Sequence, residues 1–369
     1  MFLRVLVGLA ILAIAIWAIL YFTGAAELRR EFDEPWPFGL GDMHAAVAGK
    51  PSKASPEADS LSPLLRALPR VAEHDWIAAQ VRTKNDAIEP PPAGALASLT
   101  KSKATVADVV RIAIASEDRL VWGAQGVAYR AENAANALAV LALERARAGD
   151  GAAAWDDVHA MAILASSLRR LRSASAKEKG LDIGRLAVAV ARKLPPPAPP
   201  WFDELAAADP RPETAAALQM RATFGLPGHR NAGSPIVALL FKPLIDRFAA
   251  RSIRLERAMA QAMTERRCRV DDAKLDAVEA KGWPGSELVY RAARIDAERE
   301  AAAKVLALKR ERAASGRWPS LSPAIAASRC AGNVWEYETA ADGSMSLRMS
   351  EEPAWEPSAA LVPQLDFRY

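Results

Sequence analysis

The chain has 369 residues, 48 of them basic and 44 acidic, for a formal net charge of +4; 51% is hydrophobic but only 7% aromatic. The length allows one large or two modest domains, and the interspersed, nearly balanced charge excludes the basic footprint that nucleic-acid binding requires. Much of the hydrophobic excess is Ala, the strongest helix former, which argues for an α-helical body and, together with abundant Arg, for a GC-rich bacterial coding sequence.

From Phe2 to Phe22 the chain is apolar, with Arg4 its only charge and no Pro. A helix needs about 20 such residues to cross roughly 30 Å of hydrocarbon, so Leu3 to Phe22 reads as a membrane span. Trp17, Tyr21 and Phe22 place rings near one interface. A cleaved signal peptide is the competing reading, with Gly24, Ala25 and Ala26 as the small residues at the cut. Arg4 and the amino terminus at the start of the run and Arg29 and Arg30 after it, the latter offset by Glu27, Glu31, Asp33 and Glu34, leave the flanking charge nearly even, so the size of the following body and the likeness to a signal sequence argue for the amino end inside and the body outside. Residues 1–26 are therefore assigned as anchor, and 27–60, with Pro35, Pro37, Gly39, Gly41, Pro51 and Pro56, as a tether or an irregular collar.

Residues 61–232 are expected to form a body of helical hairpins. A first helix is expected over Leu64 to Arg82 despite Pro69, followed by a break at Pro90, Pro91 and Pro92. Val106, Val109, Val110, Ala113 and Ile114 then share one helix face. Helices over Gln125–Ala148 and Ala152–Arg172, joined by Gly149 and the capping Asp150, form an αα-hairpin. A helix over Leu181–Leu194 stops at Pro195, Pro196 and Pro197, and Trp201–Ala208 and Glu213–Phe224 form the next pair. Pairs in series suggest a solenoid of tetratricopeptide type, but no fixed repeat period is present.

The remainder, 233–369, opens after a loop from Gly225 to Pro235. A long helix from Ile236 to Arg267 carries Phe241, Leu244, Ile245, Phe248, Leu255, Met259 and Met263 as its apolar stripe. A short helix capped by Asp271, a Gly282-Trp283-Pro284-Gly285 turn and a helix over Glu287–Ala314 follow. The alternating runs Val334–Glu338 and Ser344–Met349, joined at Asp342-Gly343, read as a β-hairpin. The fold expected is thus mainly α, an irregular array of antiparallel helical hairpins with a small C-terminal β-hairpin, preceded by one transmembrane helix.

Ser315-Gly316-Arg317-Trp318-Pro319-Ser320-Leu321, followed by Trp335-Glu336-Tyr337 in the first strand, resembles a module of uncharacterised, membrane-anchored, exported bacterial proteins, in which a long helix ends in His-Gly-Arg-Tyr/Trp-Pro-x-x-Leu before a Tyr-containing hairpin. The segment Leu143–Leu171 is similar to the helical body of the same proteins. The resemblance covers about two-thirds of the chain and implies no catalytic residues. The C-terminal part is distantly similar to type II secretion pseudopilins, from which the anchor departs: it has neither a Gly-Phe processing site nor a Glu in the span.

The inventory of reactive groups is thin. His44, His74, His159 and His229 are scattered, without metal-ligand spacing, and no nucleotide-binding fingerprint is present, so neither cofactor, metal nor nucleotide is expected. Ser98 and Lys101 match Ser-x-x-Lys, in which the Lys assists deprotonation of the Ser, but the companion elements are missing. Arg247, Arg251, Arg254 and Arg257, spaced four, three and three, share a helix face fit for anionic lipid headgroups, an acidic polymer or an acidic helix; the plainer alternative is an intramolecular or solvated face, with Asp296, Glu300 or Glu311 as partners if it is intramolecular. Cys268 and Cys330 are an even pair that an oxidising compartment would join, and two free thiols remain the alternative. The function expected is a periplasmic scaffold or protein-interaction protein on an inner-membrane anchor, with an envelope partner of unknown identity; the rival is a hydrolase or transferase acting on cell-wall material.

Overall fold

A computed structural model describes residues 2–48, 53–123, 125–223, 235–263, 266–351 and 365–369. The apolar run forms helix α1, Phe2–Asp33, which is long and apolar enough to cross a membrane. From Val7, at 50% exposure, to Phe22, at 71%, most of its side chains are exposed. At 1.5 Å per residue its 32 residues reach about 48 Å, well beyond the roughly 30 Å of a hydrocarbon core. The helix therefore continues, unbroken, past the point where a tether was expected. Beyond it, Pro37–Gly39 makes a tight turn, and α2 (Met43–Ala48) and α3 (Pro56–Ala67) follow. Trp36 and Met43 are buried in a core they share with later helices. Of the two readings, tether or collar, the segment takes the collar, because Phe32, Trp36 and Met43 supply apolar surface that docks it.

The helix expected over 64–82 is two. α3 ends at Ala67 and α4 spans His74–Arg82, since Pro69 lacks a donor and pushes Leu68 into extended backbone. α5 (Ala93–Lys101) and α6 (Lys103–Ser116) lead to the hairpin of α7 (Ala128–Arg147) and α8 (Gly151–Arg169). Gly149 takes φ +86°, as a C′ glycine does, and the Asp150 carboxylate accepts from Ala153 N–H at 3.2 Å. α9, Ala174–Ala191, starts earlier than expected because Ser173 caps it. α10 (Pro200–Ala207) and α11 (Arg211–Thr223) complete the body. The apolar faces of α3 to α10 meet in the largest core.

α12 runs Pro235–Gln261, ending short of the expected Arg267; Cys268 beyond it takes φ +60°, a backbone no helix continues through. α13 (Asp272–Glu279), capped by Asp271, leads to α14, Ser286–Ser315. α14 is the spine of the molecule. Ile295 joins the core around α11 and α12, Leu306 the core of the hairpins, and Val305 the core under the C-terminal sheet. α15 (Pro323–Ala326) precedes β1 (Trp335–Thr339) and β2 (Met345–Met349). These pair as the expected hairpin, and β3, Asp366–Arg368, adds an unexpected third strand antiparallel to β2. Gly316 closes α14 in the left-handed conformation, and Arg312 lies 4.5 Å over the Trp318 ring. The chain is thus mainly α-helical with a small antiparallel sheet at its end. The Gly225–Pro235 loop falls outside the described residues except for Pro235.

Candidate functional site

The arginine ladder of α12 is the site the sequence marks most clearly, and the structure turns it inward. α12 lies parallel to α1, so residues pair in ascending order along both helices. The Trp17 indole donates to Leu240 O at 3.1 Å, and Arg247 to Thr23 Oγ1 at 2.9 Å. Arg254 binds Glu27 at 2.6 Å and Glu31 at 2.8 Å. Arg257 grips both carboxylate and carbonyl of Glu31 and reaches the Glu34 carboxylate at 2.6 Å. Arg251 faces the other way and donates to Lys281 O. The face is intramolecular, as the plainer reading had it, but its acidic partners are Glu27, Glu31 and Glu34 and not Asp296, Glu300 or Glu311; Asp296 is taken by Arg267 at 2.7 Å and Arg329 at 3.1 Å.

The arrangement has an electrostatic reason. Glu27, Glu31 and Glu34 gather at the carboxyl end of α1, where the helix dipole already contributes partial negative charge. Left alone, they would oppose the helix; Arg254 and Arg257 compensate them. Glu27 and then Glu31 in turn hold the Arg254 guanidinium above its ordinary pKa. Glu31 and Arg257 are each 3% exposed, so this pair is the dry centre of the junction. Gly24 permits the approach: a Cβ there would stand 3.0 Å from Pro243 O.

The other nominated groups stay apart from any constellation. Ser98, half-buried on α5, and Lys101, exposed in its last turn, are joined by no hydrogen bond or ion pair. Two surface depressions, one along the sheet beside Glu336, Arg348 and Asp366 and one between α3 and α7 beside Arg66, His74 and Arg130, include neither residue. In the first, Arg348 is neutralised by Glu336 at 2.6 Å. Among the described residues, no group of three His, Cys, Asp or Glu side chains is placed to hold a metal. His159 stacks on Trp201 with ring centroids 4.4 Å apart, and His44 pairs with Asp33 at 2.9 Å.

Cys268 and Cys330 are joined by a disulfide with Cα atoms 5.1 Å apart. It ties the segment after α12 to the segment before β1, beside Asp296 of the spine. Sequence reasoning missed a second clasp. Arg192, Lys193 and Lys309 are buried and donate to carbonyls of the 81–87 and 192–194 segments, and Arg192 also reaches Tyr369 Oη at 3.0 Å. Burial drives Lys193 down to about 7 and Lys309 down to about 8. Cations spent on backbone carbonyls leave no periodic trace in a sequence, which is why the clasp was not legible. Comparison of the chain with protein-family models, with curated proteins and with solved structures gave no match.

Proposed function

We propose that this is a single-pass protein of the bacterial inner membrane whose body stands in the periplasm and acts as a scaffold for another envelope protein. The observation that carries the reading is the junction of α1 with α12. A helix fit to span a bilayer continues into the body and is locked there by Glu31 and Arg257, so the body is held at a set height and orientation over the membrane. Such fixing suits a docking platform, whose partner must find the same face at the same height. The disulfide supports the periplasmic side, since such bonds persist in oxidising compartments.

Two measurements test it. Alkaline phosphatase fused after Tyr369 is expected to be active in cells, as it folds only outside the cytoplasm; an inactive but intact fusion contradicts the orientation. Photocrosslinkers placed singly at exposed body positions such as Tyr129 and Leu321 are expected to give discrete adducts clustered on one face, and absence of adducts at every position contradicts a scaffold.

A further inference from the structure

The lower half of α12 has an apolar surface turned away from the body. Leu239, Leu240, Phe241 and Leu244 are 52–58% exposed, whereas Leu255 and Met259 on the same expected stripe are buried. An outward apolar face needs an occupant, and the position of α12 indicates which. Leu240 lies level with Trp17 of α1, five residues before the end of the apolar run at Phe22, or roughly 7.5 Å inside it at 1.5 Å per residue. The backbone of α12 begins at Pro235, further along the same direction. We infer that the opening third of α12, through Leu244, is immersed in the outer half of the lipid bilayer beside α1, so that the chain contacts acyl chains through two parallel helices. The inference rests on α1 being a membrane span.

Three details fit lipid better than a protein occupant. The charges on this stretch are accommodated internally: Lys242 reaches Asp246 at 2.6 Å and lies 5.3 Å over the Tyr21 ring, while Arg247 binds Thr23. Polar backbone is served as well. The Trp17 indole N–H, which lies inside the apolar run, donates to the Leu240 carbonyl at 3.1 Å; polar groups in hydrocarbon must find such partners within the protein. Finally, beyond the internally paired Lys242 and Asp246 the two helices turn charged at about one level, α12 from Arg247, which binds Thr23, and α1 from Glu27, just past Thr23, which is how a common water boundary would divide them.

The test uses the full-length chain, with its disulfide intact, in vesicles of phosphatidylethanolamine and phosphatidylglycerol. Fluorophores are attached singly through Phe241→Cys, Leu244→Cys, Ile14→Cys and Tyr129→Cys, and quenching by doxyl-labelled lipid is compared with quenching by aqueous iodide. Loss of fluorescence to doxyl lipid but not to iodide is expected at 241, 244 and 14, and the reverse at 129. Iodide quenching at 241 and 244, with 14 still in lipid, overturns the inference and leaves the anchor standing. Iodide quenching at 14 overturns both. Shielding of 241 and 244 from both quenchers, with crosslinking between chains at these cysteines, assigns the face to a second copy and also overturns it.

Discussion

Arg257 closes on Glu31 across 226 residues of sequence, and both side chains are almost fully buried. Removing one member of a buried pair strands the other charge without water, which costs about 3–5 kcal/mol. Because Arg257 keeps the Glu34 carboxylate at 2.6 Å, Glu31→Gln is expected to destabilise the detergent-solubilised chain by about the lower end of that range in denaturant unfolding. Arg254, with its side chain 48% exposed and facing Glu27 at 36%, is the internal contrast: Glu27→Gln is expected to cost no more than about 1 kcal/mol. Equal effects would mean that the junction is wetter than the structure shows.

The Cys268–Cys330 bond closes a loop of 62 residues. Loop-closure entropy for that length corresponds to about 4 kcal/mol of stabilisation in the chain-entropy treatment. The double variant Cys268→Ala with Cys330→Ala is expected to unfold at markedly lower denaturant. Loosening should begin at the sheet and the end of α14, where hydrogen exchange would report it. Unchanged exchange at Trp335–Met349 would contradict this.

Asp157 is fully buried on α8, bound to Arg145 at 2.7 Å. Burial, opposed by Arg145, raises its pKa to about 7. Between its ordinary value near 4 and about 7, the folded chain holds a proton that the unfolded chain has released, so this group lowers stability as pH rises through that window. Asp157→Asn keeps the shape and removes the charge. Relative to the parent, its thermal midpoint is expected to rise between pH 4 and pH 8; a difference independent of pH would contradict the assignment.

Gly180 sits inside α9, where Ala would ordinarily gain about 1 kcal/mol of helix propensity. Here the added Cβ would meet Ala165 O at 2.8 Å and Arg169 Cγ at 2.6 Å. Overpacking of that kind costs about 1–3 kcal/mol, and a backbone oxygen has little room to yield. Gly180→Ala is expected to lower the midpoint of thermal unfolding, and a stabilised variant would show that α8 and α9 pack less closely.

What was legible in the sequence followed periodicity and caps. Val158, Met161 and Leu168 mark the inner face of α8, and Asp150 and Asp271 start the helices they cap. Charge was the poorer guide. On α14, Arg294, Asp296, Glu298 and Arg299 are charged and nonetheless buried, with Glu298 bound by Arg185 from α9 at 2.5 Å. Long-range ion pairs have no sequence period, so neither this network nor the partner of the α12 arginines could be read in advance. The α12 stripe failed for a related reason: it counts as one apolar face, but half of it points to the core and half away.

The rigidity of the junction between α1 and the body is tested most directly by the distance between spin labels at Phe22→Cys and Tyr129→Cys, both at exposed positions, measured by pulsed electron resonance in vesicles. A single narrow distribution is expected, broadening when Glu31→Arg is added. A broad distribution in the parent, unaltered by that change, would contradict a clamped body and restore a flexible tether after the anchor.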